Sequence, residues 1–165
     1  MTPEHIHLLI NHIPIHGLVV STLFLIVALL YRNRLFTGIA MAFVAVSGLS
    51  IPFVMASGEK AYEHYESDPQ IKSLIGEAGL EMAETHYEHA ETGAKATYLL
   101  LVVAIVGLGI WKFRPDWLFK IGWIVAVLCV ICLILNAWIA SSGGKIRRPD
   151  FRSSPPTAEV EEDDD

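Results

Sequence analysis

The chain has 165 residues, of which 53% are hydrophobic and 18% charged, and its mean hydropathy is +0.45. A soluble domain carries about 25% charged residues, so this composition argues against an ordinary soluble enzyme and indicates a membrane protein. The formal net charge of −6 argues against a nucleic-acid partner. The length favours one domain, and two cysteines make no disulfide framework.

Four apolar runs divide the chain, and each is long enough for a helix to cross about 30 Å of hydrocarbon. Charged residues are nearly absent from these runs, and Lys120 lies where a lysine side chain snorkels to the interface. Backbone polar groups in lipid must be satisfied within the segment, so we predict four membrane-spanning helices. They form an all-α four-helix bundle of two hairpins within residues 1–152. The runs are 13–31, 35–56, 94–111 and 118–140.

The charges flanking these runs predict an orientation in the bilayer. No Lys or Arg precedes the first run, so it does not resemble a cleaved signal peptide. Arg32 and Arg34 occupy the first short loop, and Lys112 and Arg114 occupy the last one. Basic short loops stay in the cytoplasm. We therefore predict a bacterial inner-membrane protein whose N-terminus, central segment 57–93 and C-terminus face the periplasm, although basic residues after the fourth run oppose this.

The segment 57–93 carries most of the polar residues between the spans. We expect it to be helical, first extending the second span and then beginning again after Asp68, which a proline follows. Gly76 and Gly79 are expected to bracket a further break, and residues 80–92 run as a helix into the third span. The tail 153–165 ends in five acidic residues and is predicted to be disordered.

All seven histidines fall on the predicted outer side of the membrane. At helical spacing His5, His12 and His16 share one face, and His86 and His89 share another. Imidazole is a ligand for haem iron, zinc and copper, and helix bundles hold cofactors between facing helices. We therefore predict a b-type haem whose axial ligands are His12 or His16 and His86 or His89. The seven histidines are His5, His7, His12, His16, His64, His86 and His89.

Two other interpretations stay open. The first is a copper or zinc site in a metal-binding or transport-accessory protein, and the second is a cofactor-free structural subunit whose histidines are interfacial polar groups. No Cys-x-x-Cys-His occurs, which excludes c-type haem, and Cys129 and Cys132 are interpreted as small buried hydrophobes. No hydrolase or kinase motif is present, so a redox or structural subunit is favoured over a self-contained enzyme. The metal site would use His12, His16, Glu59, Glu63, His86, Glu88 and His89.

The two hairpins show a weak internal sequence repeat. Each is entered behind a histidine pair, and each ends in a Ser-Gly sequence followed by a lysine, at residues 57–60 and 142–145. A duplication about an axis normal to the membrane would produce this pattern. Chance similarity between two Ser- and Gly-rich helix ends is the alternative.

Four stretches carry a resemblance to a known family: 7–17 (HLLINHIPIHG), 57–63 with its Ser-Gly-Glu exit and Glu63, His86, and 143–150 (GGKIRRPD). Over about residues 5–150 the chain resembles small bacterial membrane proteins related to domain of unknown function 2231. Their similar His-x-Pro entrance and Gly-Gly ending imply a four-helix membrane fold without an established activity. This chain has Arg148 where the relatives have histidine.

Some related domains are joined to Rieske-type electron-transfer modules, so the resemblance favours a function in electron transfer. The predicted function is thus a membrane electron-transfer subunit that exchanges electrons with a quinone or a periplasmic redox protein. Other subunits of a membrane redox complex are expected as partners.

Overall fold

The computed structural model describes residues 1–148, in which all regular structure is helical. The predicted tail 153–165 lies outside the described residues. A short 3-10 turn at Pro115–Trp117 precedes the last helix. The helices are α1 (Pro3–Ile10), α2 (Ile13–Leu30), α3 (Arg34–Leu49), α4 (Ile51–Ser67), α5 (Pro69–Phe113) and α6 (Leu118–Arg147).

Four helical stretches are long and apolar enough to cross a membrane, judged by length and composition. Each of the four predicted apolar runs falls on one of them. The number of long apolar helices therefore agrees with the prediction. The stretches are Pro3–Leu30, Arg34–Ser67, Pro69–Phe113 and Pro115–Ile146.

Prolines break the first two of these stretches. A proline has no N–H for the carbonyl four residues before it, and its ring clashes with that carbonyl. For Pro14 that carbonyl belongs to Ile10, where α1 ends, and for Pro52 it belongs to Gly48, one residue before the end of α3 at Leu49. The first stretch is therefore α1 and α2, and the second is α3 and α4. The run 35–56, predicted as one helix, is thus divided at Ser50.

The predicted helix start after Asp68 is confirmed. The Asp68 Oδ1 atom accepts hydrogen bonds from the backbone N–H groups of Gln70 and Ile71, at 2.8 and 3.4 Å. These bonds satisfy donors that the first turn of α5 leaves free. The break expected at Gly76 is also present, because its φ of 67° is non-helical. Beyond it α5 continues to Phe113 without a further break.

One apolar core is shared by four helices. Helix α2 packs against α3 and α6, and α5 packs against the same two. Leu25 of α2, Met41 of α3, Leu100 of α5 and Val125 of α6 are buried in this core, and Cys129 lies among them. The predicted role of the cysteines as buried apolar residues agrees with this position.

The outward faces of the same helices are also apolar. Leu23 of α2, Phe43 of α3, Val102 of α5 and Ile134 of α6 are all more than half exposed. A helix that is apolar on every side is typical of a large protein core or of a membrane span.

Helices α1 and α4 and the first part of α5 lie at one end of this core. Here α1 packs on α4, and a second apolar cluster joins α4 and α5 to the end of α6 through Tyr65, Ile75, Ala83 and Ile146. This end of the molecule contains the candidate site.

Candidate functional site: a cavity lined by histidines

A cavity of about 400 Å³ lies between α1, the start of α2, α4, α5 and α6. Most of its lining is apolar. The polar lining residues are Glu4, His7, Asn11, His12, Tyr62, Tyr65, His86, Tyr87 and Asn136. Its size is within the range of small-molecule and cofactor sites, which are mostly apolar with a few polar groups. It is therefore the candidate binding site.

His7 enters the cavity from α1 with one ring nitrogen already bonded. Its Nδ1 lies 3.0 Å from the Oγ of Ser57 on α4. The Ser57 hydroxyl donates its single hydrogen to the carbonyl of Val54, at 2.8 Å, so its oxygen accepts from the Nδ1–H of His7. This tautomer leaves the lone pair on Nε2.

His86 enters from α5 and is bonded in the same way. Its Nδ1 lies 3.0 Å from the Oγ of Ser142 and 3.1 Å from the carbonyl oxygen of Ile139, both on α6. The Ser142 hydroxyl donates to the same carbonyl, at 2.7 Å. A carbonyl oxygen accepts only, so the His86 Nδ1 carries hydrogen and Nε2 again holds the lone pair.

Both imidazoles lie outside the four apolar runs, and burial favours the neutral form of each by lowering its pKa. Burial lowers the pKa of His7, which the charge on His12 lowers further, against a weaker opposing effect of the Val54 carbonyl. Burial likewise lowers the pKa of His86, the neighbouring His7 lowers it further, and the hydrogen bond to the Ile139 carbonyl opposes these effects in part. A neutral imidazole offers its free nitrogen as a ligand.

A glycine follows each of the two serines and lets the imidazole lie against its helix. A Cβ on Gly58 would be 3.1 Å from the Cε1 of His7, and a Cβ on Gly143 would be 2.9 Å from the Cε1 of His86. Both separations are too short for a carbon atom to fit without displacing the ring. The Ser-Gly sequences thus hold each ring by a hydrogen bond and leave room for it.

The histidines proposed from sequence have different positions. His12 and His86 line the cavity, whereas His16 and His89 are not among its lining residues. The exposed His16 lies 2.8 Å through Nδ1 from the carbonyl of His12, and the two rings meet edge to face. The ring of His89 packs on Trp138, with centroids 3.8 Å apart.

The glutamates named for the metal alternative lie on exposed surface. Glu59 and Glu63 are on α4 and Glu88 is on α5, and none of the three lines the cavity. Within residues 1–148, no group of three or more His, Cys, Asp or Glu side chains is placed to hold a metal ion. The seven proposed ligands are therefore not assembled as one metal centre in this part of the chain.

His7 is the cavity residue that the sequence analysis did not select. His5, His12 and His16 share one face only if they lie on one continuous helix. The turn at Asn11 and His12 separates α1 from α2, so helical spacing does not hold across it. The Ser-Gly sequences at the ends of the two hairpins could have identified His7, because each of them contacts one cavity histidine.

A buried carboxylate attaches α1 to α4 beside the cavity. The Glu4 side chain is 3% exposed, and its Oε1 pairs with the Nδ1 of His64. The Nε2 of His64 lies 3.7 Å from the Oδ2 of Asp68. Because His7 is on the same short helix as Glu4, this pair helps to place His7.

Asn11 adds a polar atom without a partner. It lines the cavity, and its buried Oδ1 accepts no hydrogen bond within the described residues. An unsatisfied buried acceptor costs about 1–3 kcal/mol, so a donor on a bound molecule would be favoured there.

Comparison of the chain with known protein families, with characterised proteins and with solved structures found no match. The functional proposal for this chain therefore depends on its fold and on the geometry of the cavity.

Proposed function

We propose that the chain is an integral membrane electron-transfer subunit that binds b-type haem in the cavity. His7 and His86 would hold the haem iron. The observation that carries this proposal is the pair of imidazoles from different helices, both lining one cavity and both hydrogen-bonded to a serine through Nδ1, which leaves Nε2 for a ligand. Iron in b-type haem is held by such nitrogens.

The surroundings of the two rings suit ligands of a metal. A ligating histidine generally donates its other N–H to an oxygen, which fixes its tautomer and orientation. The Oγ atoms of Ser57 and Ser142 supply that oxygen. Haem supplies one-electron chemistry when it is bound. The chain's own part is to orient the imidazoles and, through the apolar lining, to exclude water.

The membrane location belongs to the same proposal. It is supported by apolar outward faces on α2, α3, α5 and α6, which a lipid bilayer would cover. The basic loops favour a bacterial inner membrane with the cavity near the periplasmic face. Membership of the small four-helix family related to domain of unknown function 2231 is also proposed, on the residues that carry the resemblance.

The proposed electron partners are a membrane quinone and a periplasmic redox protein. The cavity lies at the end of the long helices where the polar segment 57–93 begins and ends. A haem at that depth is accessible from the bilayer and from the aqueous phase. Reduction of the haem by a quinol in proteoliposomes would distinguish the quinone from the soluble partner.

The decisive experiment is a spectrum of the full chain, purified in detergent from cells with adequate haem supply. We expect a Soret band and a reduced spectrum of the b type. His7→Ala and His86→Ala should each lose the band or convert it to that of a five-coordinate haem. The matched controls, His16→Ala and His89→Ala, should keep the wild-type spectrum.

Other results would redirect the assignment. Loss of the band in His16→Ala or His89→Ala, with His7→Ala unchanged, would favour the ligands suggested by sequence alone. A colourless protein with stoichiometric copper or zinc would favour the metal-binding alternative. A colourless and metal-free protein would favour a structural subunit of a membrane complex.

A further inference from the structure

We propose that the two hairpins are copies of one duplicated unit, and that Ser57 and Ser142 are equivalent positioning residues within it. Each serine would orient one of two imidazoles related by an approximate two-fold axis. The proposal concerns the same cavity. The test by haem affinity rests on the proposed function, whereas the test by hydrogen bonding is independent of it.

The contacts of the two serines match in detail. Each Oγ lies 3.0 Å from the Nδ1 of its histidine. Each hydroxyl donates to the carbonyl three residues earlier, at 2.8 Å for Ser57 and 2.7 Å for Ser142. Each serine precedes a glycine whose missing Cβ leaves room for the ring. Three separate features thus coincide at two places in the fold.

The buried faces of the exit helices repeat in the same register. Ser142 lies 85 positions after Ser57, and this shift places five of the eight buried residues of α3 on buried residues of α6, whereas Gly38, Ala45 and Gly48 fall on Trp123, Val130 and Leu133, which are not buried. Because a helix turns once in 3.6 residues, two buried faces coincide only at some shifts, and the shift that aligns the two serines is one of them. The matched buried pairs are Thr37 with Gly122, Ala40 with Val125, Met41 with Ala126, Val44 with Cys129 and Ser47 with Cys132.

The entrance helices α2 and α5 carry a second matched pair. The Ser21 hydroxyl donates to the carbonyl of Gly17, at 2.6 Å, and the Thr97 hydroxyl donates to the carbonyl of Gly93, at 2.9 Å. Both hydroxyl residues are buried. Each hairpin therefore has a Gly-x-x-x-Ser/Thr unit in its entrance helix and a Ser-Gly unit at its exit.

The halves differ where prolines occur. Pro14 and Pro52 break the two stretches of the first half, whereas α5 beyond Gly76 and α6 run unbroken. The halves thus correspond in the matched positions of their entrance and exit helices and differ in where those helices are broken. Two equivalent imidazoles suit a ligand with two equivalent binding positions, such as a metal in a planar macrocycle.

The first test measures hydrogen bonding in the full chain without reference to haem. Long-range ¹H–¹⁵N NMR should find His7 and His86 both protonated at Nδ1. Ser57→Ala should accelerate exchange of the His7 Nδ1 proton with water and leave His86 unchanged, and Ser142→Ala should do the reverse. Ser57→Thr and Ser142→Thr keep the oxygen and should preserve slow exchange.

Ser141→Ala is the matched control, because the exposed Ser141 hydroxyl donates to the Trp138 carbonyl within its own helix. The second test measures haem affinity. Ser57→Ala and Ser142→Ala should each weaken it by a similar factor of about 10–100, as removal of such partners does elsewhere. The threonine variants and Ser141→Ala should stay near wild type.

The outcomes separate the two proposals. Different tautomers at His7 and His86, or serine variants with unequal effects, would overturn the equivalence even if haem is bound. Absence of haem with matched Nδ1 protons would overturn the proposed function and leave the duplicated positioning residues supported.

Discussion

Two serine hydroxyls determine which nitrogen of His7 and of His86 is available to a ligand. Each hydroxyl donates its hydrogen to a backbone carbonyl, so its oxygen accepts a hydrogen bond from the histidine Nδ1. His16 also donates through Nδ1, but it does so to its own helix and on exposed surface. The difference between these histidines is therefore one of burial and of shared cavity.

Gly143→Ala tests the space beside His86. The added Cβ would be 2.9 Å from the His86 Cε1, so the ring must move and its Nε2 with it. We expect about a tenfold loss of haem affinity, comparable to loss of an outer-shell partner. Haem titration of the purified variant measures it. Gly109→Ala, where a Cβ meets nothing within 4 Å, is the control, and equal affinities for both variants would contradict the prediction.

Acid should loosen α1. Burial raises the pKa of Glu4, but hydrogen bonds from Thr2 and His64 outweigh it and leave that pKa below its usual value. The stabilisation is therefore complete above the usual pKa of glutamate and is lost as the pH falls through the lower, folded-state pKa.

Hydrogen exchange of the α1 amides, referenced to α6, measures this loosening. Protection should fall between neutral pH and about pH 3 in the wild type. Glu4→Gln should show weak protection at both pH values, and Glu63→Gln, at an exposed site on α4, should behave like the wild type. Undiminished protection in Glu4→Gln would show that the Glu4–His64 pair does not hold α1.

At the level of helices, local chemistry predicts most of the boundaries. Asp68 caps α5, Gly76 interrupts it, and Pro14 and Pro52 end the helices before them. Each of these effects acts within four residues along the chain, so it is readable from sequence. The direction of α1 relative to α2 cannot be predicted from neighbouring residues, because it depends on the packing of α1 against α4.

Gly76→Ala should destabilise the start of α5. Gly76 has a φ of 67°, which an alanine adopts only with strain, although nothing lies within 4 Å of its missing Cβ. Because the ψ of Gly76 is 175°, this backbone conformation is essentially restricted to glycine, and the expected cost is about 1–3 kcal/mol. Gly109→Ala, within the continuous part of α5, should instead be neutral or stabilising by about 0.5–1 kcal/mol. Denaturant unfolding in mixed micelles compares the two, and equal effects would argue against strain at Gly76.

For the whole molecule, stability should depend on the shared core more than on the outward faces. Met41→Ala removes a fully buried side chain of α3 and should cost about 2–5 kcal/mol. Phe43→Ala, on the same helix but 54% exposed, should cost less in a detergent micelle. Unfolding of both variants measures this order, and a reversed order would place the core elsewhere.

Labelling of single cysteines tests the proposed orientation. In a background lacking Cys129 and Cys132, an impermeant reagent should label Asp68→Cys from outside intact cells and should not label Asn33→Cys. Asp68 lies between α4 and α5, and Asn33 lies in the short basic loop before α3. The reverse pattern would place the cavity on the cytoplasmic side.

The sequence by itself determined the helical class, the four long apolar stretches, the cap at Asp68 and the break at Gly76. Composition and contacts between near neighbours in the chain specify these features. Tertiary structure decided the candidate site. His7 meets Ser57 across 50 residues and His86 meets Ser142 across 56, so each hydrogen bond exists only once distant helices have packed. Helical spacing describes one helix at a time and could not select His7 over His16, because burial beside another helix makes that choice.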